Sequence, residues 1–255
     1  MILFISDAHL GTGSLESQQK RKLLLKELFD HYAPKLDRMV IIGDLFDFWF
    51  EWKHVILKKH FQVLFWLKEL HERGVEIHFL AGNHDFALGS FLAEEVGVQV
   101  HMNEYSFNYD GKSFFALHGD GLAPADWGYR ILKRVLRSRF NQKLYSYLHP
   151  NWAVDLALKS SRRSRNYSGR RWDIDGWAYS EAAEKYIRQG NDYVLFAHNH
   201  ESILKPMGDG IYVNTGDWMK HFSYAEYANG KMELKYWGKP FIKAVEPSKV
   251  VTTTP

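Results

Sequence analysis

At 255 residues the chain is long enough to bury one large core, as a single α/β domain with an elaboration or as two domains. It has no cysteine and no run of about 18 apolar residues, which excludes disulfides, thiolate chemistry and a membrane-spanning helix, and leaves any metal to oxygen and nitrogen ligands. The net charge of +3 conceals an uneven distribution: residues 130–171 hold 12 Lys or Arg against the single acid Asp155, and the remainder holds 21 against 29. Like charges at that density repel one another, so the basic segment points to a polyanionic partner: a nucleic acid, an anionic membrane surface or a phosphorylated substrate.

The chain opens on the strand-like run Ile2–Ile5, which delivers Asp7 and His9 into a glycine loop in the stretch FISDAHLG. Residues i and i+2 of a strand share a face, so these two side chains emerge together. No basic, apolar, cleavable leader precedes the run, and a cytosolic address is expected. From about Leu15 to His31 apolar residues recur at helical period, with Leu24, Leu25, Leu28 and Phe29 on one face. A second run, Met39–Ile42, ends in Gly43-Asp44-Leu45-Phe46-Asp47, and a helical stretch from about His54 to Arg73 stops at Gly74. A third run, Ile77–Leu80, leads into Gly82-Asn83-His84-Asp85. This βαβαβ opening predicts a parallel sheet covered by helices.

Farther on, YSFNYDGKSFFALHG reads as a hairpin turning at Asp110-Gly111 and ending in His118-Gly119-Asp120. A second hairpin, SYAEYANGKMELKYW, turns at Asn229-Gly230, and mixed strands complete the sheets. Residues 125 to about 161 read as largely helical and fall in the basic segment. There Ile131, Leu132, Val135 and Leu136 fall at helical spacing, with Lys133, Arg134, Arg137 and Arg139 among them. Such a helix either packs its apolar face on the body or offers it to an anionic membrane and acyl chains. Tyr193–Phe196 is a short buried strand ending at His198-Asn199-His200, and residues 246–255 form a loose tail. We divide the chain into one domain, 1–245, with a helical insert at about 125–172, and that tail.

Polar residues therefore recur just past five strands, at the carboxyl ends where α/β sheets bind ligands. Asp7, His9, Asp44, Asn83, His118, His198 and His200 make seven oxygen or imidazole donors. One octahedral ion would be over-supplied; two ions sharing a carboxylate would use all seven. Donors of this kind suit Mn²⁺, Fe or Zn²⁺ with little discrimination. Gly43 and Gly82 are expected to let the backbone turn sharply before the ligand.

The motifs DAH, GDLFD, GNHD, HGD and AHNH, in this order, resemble the calcineurin-like metallophosphoesterases, with Ala197 where the last motif usually has glycine. The resemblance implies a four-layer αββα sandwich of α/β class and two divalent metal ions. One ion would take Asp7, His9, Asp44 and His200, the other Asp44, Asn83, His118 and His198. It also implies that Asp44 bridges and that His84 stabilises transition-state charge or protonates the leaving oxygen. Asp47, Asp85 and Asp120 read as acceptors for imidazoles or loop amides.

Within that superfamily, the basic helical insert between the HGD and AHNH motifs looks like that of the UDP-2,3-diacylglucosamine hydrolases of lipid A synthesis. This implies cleavage of a UDP-linked acylated sugar to UMP and 2,3-diacylglucosamine 1-phosphate (lipid X), manganese as the ion, and peripheral association with the anionic inner-membrane surface. Substrate contacts would come from Asn83, His84, Asp126, Tyr129, Arg163 and Asn166. His84 departs from the arginine of the best-known members. The competing reading is a phosphodiesterase or nuclease acting on nucleic acid, with Trp127, Tyr145, Tyr147 and Trp152 stacking on bases.

Overall fold

The computed structural model describes residues 1–123, 127–168 and 172–238, and their side chains outside 160–175. Four strands, β1 (Ile2–Ile5), β2 (Arg38–Ile41), β3 (Glu76–Leu80) and β4 (Val98–His101), run parallel. The hairpin β10 (Ser223–Ala228) and β11 (Lys231–Tyr236) adds antiparallel to β1, giving the order β11-β10-β1-β2-β3-β4. A second sheet orders β5 (Glu104–Tyr109), β6 (Lys112–Leu117), β7 (Tyr193–Phe196), β9 (Gly210–Thr215) and β8 (Ser202–Met207), with β6, β7 and β9 parallel. The helices are α1 (Leu15–Tyr32), α2 (Phe61–Glu72), α3 (Trp127–Arg137), α4 (Arg139–Ser146), α5 (Pro150–Ser168) and α6 (Trp172–Arg188).

Strand alternation sorts the apolar residues into three interfaces. Leu3, Ile5, Met39, Ile41, Ile77 and Phe79 pack against Leu25, Leu28 and Phe29 of α1 and Leu64 and Leu67 of α2. Their sequence neighbours Ile2, Phe4, Val40, Ile42 and Leu80 face the second sheet, through Phe114, Ala116, Leu195 and Val213. On the far side Phe115, Val194, Phe196 and Tyr212 meet Tyr179, Ala183 and Ile187 of α6. The result is the four-layer αββα sandwich, with the carboxyl ends of β1, β2, β3, β6 and β7 at one edge.

The expected hairpin turns form at Asp110-Gly111 (φ +52° and +69°) and Asn229-Gly230 (φ +53° and +75°), the left-handed pair of a tight turn. α1 starts where expected because Ser14 caps it, accepting from the Ser17 amide at 3.2 Å. α2 begins at Phe61, not His54: Trp52 and Val55 exchange backbone hydrogen bonds, and the β-branched pair Val55-Ile56 stays outside the helix. The sequence reading also passed over β4, α6 and the hairpin of β8 and β9. The insert docks through an apolar cluster in which Phe48, Phe50, Trp52 and Ala87 receive Tyr145, Ala153 and Leu158 of α4 and α5.

Candidate metal centre

All seven donor residues come together at the strand ends. His9 Nε2 lies 3.7 Å from Asp7 Oδ1 and 3.6 Å from Asp44 Oδ2. His200 Nε2 is 3.4 Å from Asp7 Oδ1, and His118 Nε2 is 3.5 Å from Asp44 Oδ2. Asn83 Oδ1 sits 3.0 Å from His118 Nε2, while Asp44, His118 and His198 group within reach of one another. Most of these contacts are too long for good hydrogen bonds, yet the atoms are close enough to share small cations whose bonds run about 2.0–2.2 Å. Asp7 Oδ1 and both ring nitrogens of His9 are buried with no hydrogen-bond partner. Buried polar atoms are ordinarily paired, so these orphans fit a site built for a cation.

The backbone carries the same mark. Asp7, His9, Asp44, His198 and His200 adopt φ of +50°, +42°, +54°, +72° and +59°. Left-handed conformations cost non-glycine residues free energy and cluster at functional sites. Gly43, at φ +78°, is the sharp turn expected. Gly82 is not left-handed and serves otherwise: a Cβ there would overlap the Asp44 carboxylate and backbone, so the residue makes room for Asp44.

Electrostatics favour cations. Burial alone would lower the His118 imidazole, but Asp44, Asp7 and Asp120 outweigh it and push the group up to about 10. His9 is raised in the same way, against burial, by Asp7, Asp44 and Asp47. Burial would raise Asp7, yet His200, His9 and His118 hold it well below the ordinary carboxylate value; Asp44 is lowered likewise by His118, His84 and His9. Burial and the neighbouring His118 depress His198 to about 4, which keeps that imidazole neutral. The His118 Nδ1–H donates to the Ile42 carbonyl at 2.7 Å, turning Nε2 toward the cluster.

The remaining sequence candidates take distinct positions. His84 stands edge-on to His9, ring centroids 4.6 Å apart, and donates from Nδ1 to the Asp47 carbonyl at 3.1 Å. Its backbone amide donates to Asp44 Oδ1 at 2.9 Å. Asp47 Oδ1 lies 3.5 Å from His84 Nδ1 and 3.9 Å from His9 Nδ1, between the two rings. Asp85 accepts the amides of Gly82, Asp44 and Phe46, fastening the second and third motifs together; burial and the Asp44 charge push its carboxyl up to about 7. Asp120 accepts from Tyr129 Oη at 2.7 Å and pairs with Lys133 Nζ at 2.8 Å. Tyr129 therefore commits its hydroxyl to Asp120. Asp126, and the side chains of Arg163 and Asn166, lie outside the described residues.

Above this crevice, α3 faces the reverse of an ordinary surface helix. Tyr129, Lys133 and Arg137, spaced four apart, turn to the body, and Arg130 donates to the carbonyls of Gly121 and Ala123. Ile131, Leu132, Val135 and Leu136 are 53%, 50%, 49% and 38% exposed. Three of the basic residues counted toward a polyanion-binding stripe thus bond the insert to the body instead. Exposed Phe140, Leu144, Tyr147, Trp152 and Leu156 extend the apolar surface along α4 and α5. Among the described residues no helix is long and apolar enough to cross a membrane.

Sulfur-free donors on left-handed turns at parallel strand ends, inside an αββα sandwich, are features of a metal-assisted phosphoesterase, and residues 1–202 match the calcineurin-like phosphoesterase family. The chain belongs to that family and is a phosphoester hydrolase. It is 32% identical over 252 residues to the UDP-2,3-diacylglucosamine hydrolase of Porphyromonas gingivalis, covering 92% of this chain and 96% of that protein. Enzymes of the same name from Haemophilus influenzae and Neisseria gonorrhoeae are 27% and 28% identical over 223 and 224 residues. Those matches cover 86% and 87% of this chain, and 91% and 90% of the relatives.

Proposed function

We propose that this chain hydrolyses the pyrophosphate of UDP-2,3-diacylglucosamine, releasing UMP and 2,3-diacylglucosamine 1-phosphate (lipid X). The observation that carries the reading is the reversed α3, which sets an exposed aliphatic and aromatic surface beside a phosphoesterase crevice. A diacylated substrate needs both. The activity in the names of the relatives supports the same substrate. In this reading residues 1–245 form the catalytic domain, with the helical insert at about 125–172 as its acyl-binding lid.

One divalent cation would be held by Asp7, His9, Asp44 and His200, and a second by Asp44, Asn83, His118 and His198, with manganese the expected ion. Such a pair supplies acidified water and neutralises phosphoryl charge. The chain's own residues orient and exchange protons. His84, fixed through Nδ1 to the Asp47 carbonyl, would act as the imidazolium, giving the Nε2 proton to the leaving oxygen or stabilising charge on the phosphoryl group; burial disfavours that form, and the Asp44 and Asp47 carboxylates favour it. Asp126, Arg163 and Asn166 would contact the sugar or phosphates, and Tyr129, whose hydroxyl proton goes to Asp120, would meet the sugar only as an acceptor. The exposed Arg134, Arg139, Lys143 and Lys159 would bring the insert to the anionic cytoplasmic face of the inner membrane.

Purified protein supplied with manganese should release UMP from UDP-2,3-diacylglucosamine, with heavy oxygen from labelled water appearing in the UMP. Faster cleavage of single-stranded DNA, or of a simple phosphodiester, would instead assign the family's chemistry to another substrate.

A further inference from the structure

Two arginines outside the donor set reach it through the backbone. Arg21, on the sheet-facing side of α1 and 4% exposed, donates from Nη1 to the carbonyls of Ala8 (3.0 Å) and His9 (3.2 Å). It also donates from Nη2 to the Thr12 carbonyl and from Nε to that of Ser17. The Trp218 indole, 1% exposed, donates to the Arg21 carbonyl at 3.1 Å and fixes that point of the helix. Arg137, the last residue of α3, donates from Nη2 to the carbonyls of Ala81 (3.3 Å) and Gly82 (3.2 Å). Its Nη1 reaches the Met102 carbonyl at 2.5 Å and Asn103 Oδ1 at 3.4 Å.

The two sets of carbonyls are not equivalent. Ala8 lies between Asp7 and His9; Gly82 immediately precedes Asn83. Asp7 and His9 are left-handed and lie past the end of β1, and Gly82 and Asn83, though not left-handed, lie past the end of β3, so both segments are loop backbone outside the strands. A planar guanidinium offers five donors in a rigid fork, so one side chain can tie several carbonyls of an irregular loop at once.

We propose that Arg21 and Arg137 are positioning residues for the two cation sites, one each: Arg21 for the site of Asp7, His9 and His200, and Arg137 for the site of Asn83, His118 and His198. This rests on the dinuclear reading above. Because Arg137 belongs to α3, it also makes the seat of the insert and the placement of Asn83 one mechanical unit. Asp120 strengthens that unit, holding Tyr129 and Lys133 of α3 two residues past His118.

The test titrates manganese into the metal-stripped full chain, by calorimetry, for the parent, R21K, R137Q, R137K and the exposed control R188Q. Occupancy is assigned in a parallel titration with diamagnetic zinc, by the shifts of the His9 and His200 ring signals against those of His118 and His198. R137Q should lose about tenfold to a hundredfold in affinity at the His118 and His198 site alone, and R21K at the His9 and His200 site alone. R137K, with charge but no fork, should fall between R137Q and the parent, and R188Q should match the parent. Parental affinities in R21K and R137Q would overturn the proposal, as would equal weakening of both sites together with a lowered Tm. If R137Q does not fold, R137K decides by the same site-selective criterion. A parent that binds fewer than two manganese ions refutes the dinuclear reading itself.

Discussion

Helices α1 and α3 are both amphipathic and face opposite ways. α1 buries Leu25, Leu28, Phe29 and Tyr32 against the first sheet and shows most of its charges to water. α3 buries no side chain fully, turns Tyr129, Lys133 and Arg137 inward and leaves its aliphatic face outside. Burying one aliphatic side chain is worth about 1.5–3 kcal/mol, so α3 forgoes a driving force that α1 uses. Helix α1 is held by packing; α3 is held by polar contacts, and its apolar face stays exposed.

The comparison breaks most visibly at the crevice both helices border. Asp44→Ala should reduce turnover of any phosphodiester below about a thousandth of parental, with two bound metals falling to one or none by elemental analysis and the fold retained by circular dichroism. Near-normal turnover would remove Asp44 from the centre. Next, Leu28→Ala in α1 should cost about 2–5 kcal/mol in urea unfolding, whereas Leu132→Ala in α3 should stay within about 0.5 kcal/mol. Equal costs would mean that the α3 face is packed after all. The outward charges come third: Arg134→Gln with Arg139→Gln should weaken binding to anionic vesicles by roughly 1 kcal/mol per charge, leaving hydrolysis of a small soluble diester intact. Arg137 is left out of that variant because it bonds to the body.

The smallest effect lies far from the crevice. Asp192 accepts from the Ser113 backbone amide and from Lys112 and Ser113 side chains, which lower its carboxyl from 3.8 to about 2. Its folded value lies below its unfolded one, so the stability it contributes is present above about pH 4 and is lost as pH falls toward 2. Asp192→Asn should flatten Tm against pH in that window; an unchanged acid limb would contradict the assignment.

The crevice was legible because parallel strands place their carboxyl ends together, so five short motifs scattered between residues 7 and 200 had to converge. The two hairpins were legible from Asp-Gly and Asn-Gly. The facing of α3 was not: helical spacing identifies an apolar stripe without saying which way it turns, and the partners that turn it, Asp120 and the carbonyls of residues 81 and 82, are remote in sequence from Arg137 or serve as backbone. Arg21 did leave a signal, a basic residue four and seven positions before Leu25 and Leu28, on the stripe that faces the core. The left-handed turns at Asp7 and His9 left only a weak one, since Asp and His are enriched at positive φ yet most such residues are not left-handed.

The central claim is that the exposed face of α3 receives acyl chains and so drives hydrolysis at a distance. It is tested most directly by the ratio of kcat/KM for UDP-2,3-diacylglucosamine over deacylated UDP-glucosamine, in the parent and in Leu132→Asp. The account predicts a ratio of several orders of magnitude in the parent, because remote binding energy orients the pyrophosphate, and a collapse of that ratio in the variant with turnover of the deacylated substrate unchanged. A parent that cleaves both substrates equally well, or a variant that keeps the full ratio, would contradict it.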